Sequence, residues 1–207
     1  MGFVAIMKLL LFSDLHCDVN AAQSLVQRSE HADVLVGAGD FANCRRQLHR
    51  CLDVLRNVTR PIILVPGNNE SFEELARQCA GWESTHVLHG SSAIVEGVEF
   101  FGIGGGIPTT PFGDWSFDLT EQEASTMLND CPTGGVLVSH SPPKRAVDVS
   151  SNGASLGSTA VRATIEQKRP KLVVCGHIHG CAGQMAKIGT STIINAGPAG
   201  IEWEFGS

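Results

Sequence analysis

Residues 61–70 read PIILVPGNNE. A run of Ile, Ile, Leu and Val ends at Pro66-Gly67, and two amides and a carboxylate follow at once. Such a run has strand length and the composition of a strand buried on both faces. Asn68 and Asn69 then stand on the lip of that strand. Gly-Asn after a strand is also ordinary turn chemistry, so the meaning of the stretch depends on whether the pattern recurs.

It recurs along the chain. Runs of similar length and composition occupy 8–12, 33–37, 98–103, 135–138, 171–175 and 191–195. Mixed stretches at 19–30, 44–57 and 70–80 separate the early ones, with apolar residues at helical spacing such as Leu48, Leu52 and Leu55. Alternating strand and helix predicts a largely parallel sheet at the start. Residues 85–103 read as adjacent strands with tight turns at Gly90 and Gly97, and 183–205 as short strands joined by glycine. Two stretches rich in Gly, Pro and Ser, 104–118 and 141–157, are predicted long loops on a rigid sheet, where function concentrates. The expectation is one α/β domain over 1–207, a sheet core or two packed sheets flanked by helices.

Composition bounds the rest. The 207 residues carry 43% hydrophobic and 17% charged side chains, a globular balance. Net charge is −6 and no Lys/Arg run is longer than a pair such as Arg45-Arg46, so neither a nucleic-acid groove nor an anionic membrane surface is indicated. Seven cysteines at irregular spacing, with no Cys-x-x-Cys, predict reduced and mostly buried thiols in a cytoplasmic protein. Residues 1–12 read as a first strand rather than a signal peptide. No apolar run approaches the roughly 20 residues of a membrane span.

Each early or central strand ends in polar residues. The endings are Ser13-Asp14-Leu15-His16, Gly39-Asp40, Gly67-Asn68-Asn69, Ser139-His140 and Gly176-His177-Ile178-His179. In an α/β sheet the carboxyl ends of parallel strands share one edge, so residues far apart in sequence converge there. Imidazole and carboxylate suit Zn, Fe, Mn and Ni. Asp14-x-His16 and His177-x-His179 are i, i+2 pairs, which on extended backbone point the same way and would each grip one ion. Asp14, His16, Asp40, Asn68, His140, His177 and His179 are too many ligands for one tetrahedral ion and suit two ions sharing a carboxylate. Two divalent cations bring four positive charges; Asp14, Asp40 and a bridging hydroxide remove three, and the neutral Asn68 leaves one for an anionic substrate.

The ordered series Asp14-x-His16, Gly39-Asp40, Gly67-Asn68, His140, Gly176-His177-x-His179 resembles the calcineurin-like metallophosphoesterase family, in particular its compact bacterial and archaeal phosphodiesterase-like members. The resemblance covers residues 8 to about 198. It implies a two-sheet β-sandwich flanked by helices, with a dimetal site at the carboxyl edge of the strands. By position, one metal would be held by Asp14, His16, Asp40 and His179. The other would be held by Asp40, Asn68, His140 and His177. The implied reaction is attack of a metal-bridging hydroxide on a phosphodiester or an activated phosphate ester, with Mn²⁺ as the cation and Fe, Zn, Ni or Mg as substitutes. The sequence departs from the family at Asn69, where a histidine that contacts phosphate or protonates the leaving oxygen is usual. An amide donates hydrogen bonds but is no general acid near neutral pH, and loss of a general acid costs about 10²–10⁴ in rate. The alternative is therefore a weak or inactive member that acts as a binding scaffold.

A dinucleotide-binding reading also has a foothold. Gly37-Ala38-Gly39-Asp40-Phe41-Ala42 matches a Gly-x-Gly-x-x-Gly/Ala pattern, but after the second strand rather than the first. Other residues near the motifs have two readings each. His86 and His89 are substitutes for the missing acid, or surface and core histidines. Cys17 is a neighbour of the metals or a packed thiol. Phe112, Trp115 and Phe117 line a cleft or pack under a loop. Lys144, Arg145 and Arg162 steer phosphate or form surface ion pairs. Asn195 supports a ligand or makes a turn.

Overall fold

The alternation inside the first strand sets the architecture. β1 (Ile6–Phe12) turns Leu9 and Leu11 to one side and Leu10 and Phe12 to the other, and all four are buried. A strand buried on both faces needs a layer on each side. The computed structural model describes residues 6–206; the part of the first-strand reading that covers residues 1–5 lies outside the described residues.

Two sheets face one another. The first runs β11-β1-β2-β3-β4, with β2 (Val34–Gly37), β3 (Ile62–Leu64) and β4 (Thr85–Val87) parallel to β1 and β11 (Ile201–Gly206) antiparallel at the edge. The second runs β5-β6-β7-β8-β10-β9, built from β5 (Ser91–Val95), β6 (Val98–Ile103), β7 (Val136–Ser139), β8 (Leu172–Cys175), β9 (Met185–Ile188) and β10 (Ser191–Asn195). Between them Leu9, Leu11, Val34, Val36 and Ile63 pack with Phe100, Val136, Val138, Leu172, Val174 and Ile194. The outer face of the first sheet packs on α1 (Val19–Arg28), α2 (His49–Leu55) and α3 (Phe72–Gln78). The outer face of the second packs on α4 (Glu121–Leu128) and α5 (Thr159–Lys168).

Local chemistry starts the helices. Asp18 accepts from the N–H groups of Asn20 and Ala21 ahead of α1, and Ser71 and Glu74 form a capping box on α3. Thr120 and Glu123 form another on α4.

The predicted runs all become strands, and the sandwich is the one the resemblance implies. Three expectations change. The predicted helix at 44–57 begins only at His49, because residues 43–46 close into a tight turn through an Asn43–Arg46 bridge. The Gly90 turn is no hairpin: it carries the chain from the edge of the first sheet to the edge of the second, whereas Gly97 does close the β5–β6 hairpin. Likewise the glycines after β10 return the chain to the first sheet.

Candidate metal centre

The carboxyl ends of β1, β2, β3, β7 and β8 share one edge of the sandwich, and the seven candidate ligands meet there. Ligand atoms of Asp14, His16, Asp40 and His179 all lie within 4.8 Å of one another, and so do those of Asp40, His140 and His177. Asp40 belongs to both groups. Its Oδ2 is 3.5 Å from His16 Nε2 and its Oδ1 is 3.5 Å from His140 Nε2. Asp14 Oδ1 is 3.6 Å from His179 Nε2. Asn68 Oδ1 is 3.3 Å from His140 Nε2, which places it beside the second group.

The i, i+2 argument holds for one pair and fails for the other. Asp14 and His16 join one group, yet neither is extended: their φ angles are 56° and 43°. His177, at φ 66°, serves the Asp40–His140 group, while His179 opens a 3₁₀ turn and serves the Asp14–His16 group. The left-handed turn rotates the two imidazoles apart. Asp14, His16, Cys17, Asp40 and His177 all occupy this region, which costs a non-glycine residue of order 1–3 kcal/mol and persists where surrounding structure over-determines it. Here the loops after β1 and β2 are zipped together: the N–H groups of Asp14, His16 and Cys17 donate to the carbonyls of Gly39, Asp40 and Phe41.

Two glycines make room. A Cβ on Gly67 would collide with Asp40 Oδ1 and the Asp40 main chain, and one on Gly176 would lie 2.5 Å from both Asp14 Oδ2 and Ser13 Oγ. The Gly-Asn and Gly-His pairs seen in the sequence are thus steric requirements of the carboxylates behind them.

A set of hydrogen bonds fixes which atom of each side chain faces the centre. His140 Nδ1 meets Ala38 O at 2.7 Å, so Nδ1 carries the proton of the neutral ring, the form that offers the Nε2 lone pair to a cation. Asn68 Nδ2 donates to Ser116 Oγ at 3.0 Å, which turns Oδ1 inward. Ser13 Oγ donates to Asp14 Oδ2 at 2.6 Å, and His177 N–H donates to Asp14 Oδ1 at 3.0 Å. Asn195 Nδ2 donates to the carbonyls of Gly176 and Ile178 and pins the turn bearing His177, which is the supporting role among its two readings.

Asn69 faces inward rather than lining the open rim. It is 6% exposed; its main-chain N–H donates to Asp40 Oδ1 at 2.9 Å and its Nδ2 to Asp40 Oδ2 at 2.8 Å. Its Oδ1 accepts from Cys44 N–H. Glu70, to which no role was given from sequence, is fully buried and accepts from the N–H groups of Asp40, Ala42 and Gly67 at 2.7–2.9 Å. It ties the loop after β2 to the loop after β3. The available signal was its place just before the N-cap Ser71, where it cannot serve the first turn of α3. Ser13 and Ser116 were also missed; single serines in loops carry no distinguishing pattern.

The electrostatics fit a cation. Asp14 and Asp40 are 5% and 2% exposed, and no Lys or Arg pairs with either among the described residues. Burying carboxylates without compensating charge costs several kcal/mol each. Burial would raise Asp14, but hydrogen bonding to His179 and the charge of His140 outweigh it and hold the carboxyl at about 2. Desolvation and the neighbouring His140 push His177 down to about 4, so its ring is neutral and ligand-competent at pH 7. Burial and the Asp40 charge push Glu70 up to about 7. Two carboxylates, four imidazoles and an amide oxygen are a donor set for borderline divalent ions.

The remaining candidates sort themselves by contact. His89 Nδ1 accepts from Gly104 N–H and its ring packs on Phe72 and Phe117, so it supports a loop. His86 lies on β4, in register with mid-strand Ile63 and away from the ligand-bearing edge. Cys17 is a packed thiol donating to the Arg46 carbonyl. Lys144 donates to Ser155 O, and Arg162 pairs with Glu166. The dinucleotide reading fails because no helix begins after Gly39: the next starts at His49.

Comparison with known proteins agrees with the fold. The model of the calcineurin-like phosphoesterase family matches residues 7–181. Among curated proteins, a probable rhamnogalacturonate lyase C of Emericella nidulans is 29% identical over 73% of the chain and 16% of its own length. A UPF0046 protein, T07D4.2 of Caenorhabditis elegans, is 28% identical over 72% and 47%. The chain therefore spans less than half the length of either. Among solved structures, TT1561 of Thermus thermophilus superposes with a TM-score of 0.75 at 19% identity, covering 94% of this chain and 91% of that one. A phosphopantetheinyl hydrolase from Mycobacterium tuberculosis gives 0.62 at 16%, covering 94% and 90%. A dimetal phosphatase from Danio rerio gives 0.57 at 14%, covering 91% and 86%. These likenesses are of fold. The family match over most of the chain, falling on a sandwich with an Asp/His cluster at its carboxyl edge, shows that the chain belongs to the calcineurin-like phosphoesterase family.

Proposed function

We propose that this chain is a single-domain, dimetal-dependent phosphoester hydrolase acting on phosphodiesters or activated phosphate esters. One observation carries the reading: Asp40 belongs to two overlapping groups of potential ligands. Asp14, His16, Asp40 and His179 would hold one cation, and Asp40, Asn68, His140 and His177 the other. Mn²⁺ is the first choice, with Fe, Zn, Ni or Mg able to use the same donors. Two bound cations would supply Lewis-acid charge to a phosphoryl oxygen and an activated water nucleophile at neutral pH.

The chain's own part is to hold and orient. Ser116 and Ala38 fix the faces that Asn68 and His140 present. Asn69 and Glu70 fix Asp40 from its side chain and its main chain. The His179 side chain is 62% exposed, so the centre opens to solvent and substrate on that side. Nothing at position 69 delivers a proton to the leaving oxygen, because the Asn69 amide, which donates to Asp40, is no acid at neutral pH. The substrates that suffer least are those whose leaving groups depart as stable anions.

The test is to strip the protein with a chelator, measure bound metal after reconstitution with each ion, and assay phosphomonoesters and diesters across a range of leaving-group pKa. Two ions per chain and a steep fall in rate with rising leaving-group pKa are expected. Two ions with no hydrolysis of any ester would replace this reading with the scaffold alternative.

A further inference from the structure

Six large apolar side chains stand exposed among the described residues, and three of them, Phe112, Val149 and Leu156, lie on the two long loops that border the candidate centre. The first loop is tied to the centre directly. Ser116 Oγ accepts from Asn68 Nδ2 at 3.0 Å, and Phe117 N–H donates to Asn68 O at 2.9 Å. Trp115, one residue before, is half-buried; its ring stacks on Phe112 at 5.6 Å with 15° between planes. Phe112 is 50% exposed, so the stack is partly open to solvent. The same turn is held to the opposite lip: Arg45 Nη1 donates to Trp115 O, while Arg45 N–H donates to Asn69 O. Adjacent Cα atoms are about 3.8 Å apart, so the Trp115 end of the stack is anchored one residue from Ser116, the hydrogen-bond partner of a proposed ligand. On the far side, Val149 O accepts from Cys181 Sγ beside His179.

A pair of stacked rings left open to solvent is unexplained by the core, since neither ring belongs to one of the three buried clusters. An exposed apolar face next to a polar centre marks a binding surface. Planar groups stack on such faces without needing specific hydrogen bonds.

We infer that Phe112 and Trp115 form a stacking subsite for a planar aromatic group carried by the phosphoester, as an aryl or nucleoside diester would present. This rests on the phosphoesterase reading above and names its substrate class.

Three esters sharing one leaving group, 4-nitrophenolate, separate the subsite from the chemistry: methyl, phenyl and thymidine-5′ 4-nitrophenyl phosphate, assayed with the Mn²⁺-loaded protein. The kcat/KM ratio of thymidine or phenyl ester to methyl ester is expected at about 5- to 150-fold, the span of base–aromatic stacking. In Phe112→Ala and in Trp115→Ala that ratio falls toward one. A thymidine ester ahead of the phenyl ester identifies a nucleoside; parity identifies any aryl group. A ratio near one in the wild type, or one unchanged in both variants, overturns the subsite. Should no ester be hydrolysed, the catalytic reading fails by itself, and calorimetric titration with thymidine 5′-monophosphate decides the subsite. Binding weakened about fivefold or more in the variants sustains it, and equal or absent binding removes it.

Discussion

Replacing Asn69 by alanine isolates what this residue does for the centre. Its Nδ2–H donates at 2.8 Å to Asp40 Oδ2, and Asp40 is shared by both ligand groups. A hydrogen bond to a charged group is worth about 1.5–3 kcal/mol. Without it the Asp40 carboxylate retains the main-chain donor of residue 69 on Oδ1, but Oδ2 keeps only the longer 3.5 Å contact with His16 Nε2. If that restraint is expressed in metal binding, the loss corresponds to about 10- to 150-fold in affinity at 1.36 kcal/mol per decade, which overlaps the 10- to 100-fold cost of removing partners of metal ligands. A separate and smaller penalty falls on stability: the N–H of the exposed Cys44 loses its acceptor, Asn69 Oδ1, and water takes its place. The assay is calorimetric Mn²⁺ titration of chelator-stripped protein, with thermal unfolding of the metal-free form measured in parallel. Leu128→Ala, on α4 behind the other sheet, serves as a control that loses stability without touching Asp40. Asn69→Ala is expected to lose at least tenfold in Mn²⁺ affinity and Leu128→Ala less than twofold. A folded Asn69→Ala protein with unchanged affinity, or an equal loss in the control, would refute the claim that Asn69 acts through Asp40.

Asp40→Asn removes the carboxylate common to both groups, and is expected to abolish ester hydrolysis and reduce bound metal below two per chain by elemental analysis. Gly67→Ala places a methyl group on Asp40 Oδ1, so it should abolish Mn²⁺ binding by calorimetry in a protein that circular dichroism shows to be folded. Glu121 tests linkage away from the centre: its carboxylate accepts from Ser158 Oγ and from the N–H groups of Thr159 and Ala160 at the start of α5. Burial alone would raise its pKa, but those hydrogen bonds outweigh it and leave it lowered. A depressed folded pKa means that the stabilisation is present above the unfolded pKa of about 4.3 and is lost as pH falls through the folded value. Glu121→Gln should therefore cost about 1 kcal/mol in urea unfolding at pH 7, with the difference from wild type vanishing toward pH 3; a constant difference across that range counts against the linkage.

What could be read from the sequence, and what could not, divides along physical lines. Strands such as β2, β3, β7 and β8 were legible because each is a nearly uninterrupted apolar run, and the ligands because each follows such a run. Val34–Gly37 followed by Asp40, and Leu172–Cys175 followed by His177, need no tertiary information once parallel strands are granted. α4 and α5 were not singled out. Their buried faces are Ala124 and Leu128 and Ala160, Val161 and Ile165, set among Thr, Glu and Gln, too sparse a stripe to stand out from the loops before them. The division of His177 from His179 was hidden because it depends on a left-handed residue at 177, and nothing in Gly-His-Ile-His-Gly announces positive φ at a histidine. The hardest residue was Asn69. Sequence placed it beside a ligand and compared it with a missing acid; structure shows what it contacts. Its amide satisfies two groups of opposite kind, an acceptor on Asp40 and a donor on Cys44, with one donor and one acceptor of its own. A neutral imidazole has one donor and one acceptor nitrogen too, so hydrogen-bond counting does not explain why an amide stands here. Protonation state does: an amide in contact with Asp40 keeps both roles at every pH, whereas an imidazole against a buried carboxylate is pulled toward its charged form, which has two donors and no acceptor for Cys44. Asn69 thus holds Asp40 without a proton of its own to gain or lose, and under the proposed hydrolysis the leaving-group proton would fall to solvent. Under that proposal, the same choice would favour substrates with stable leaving anions.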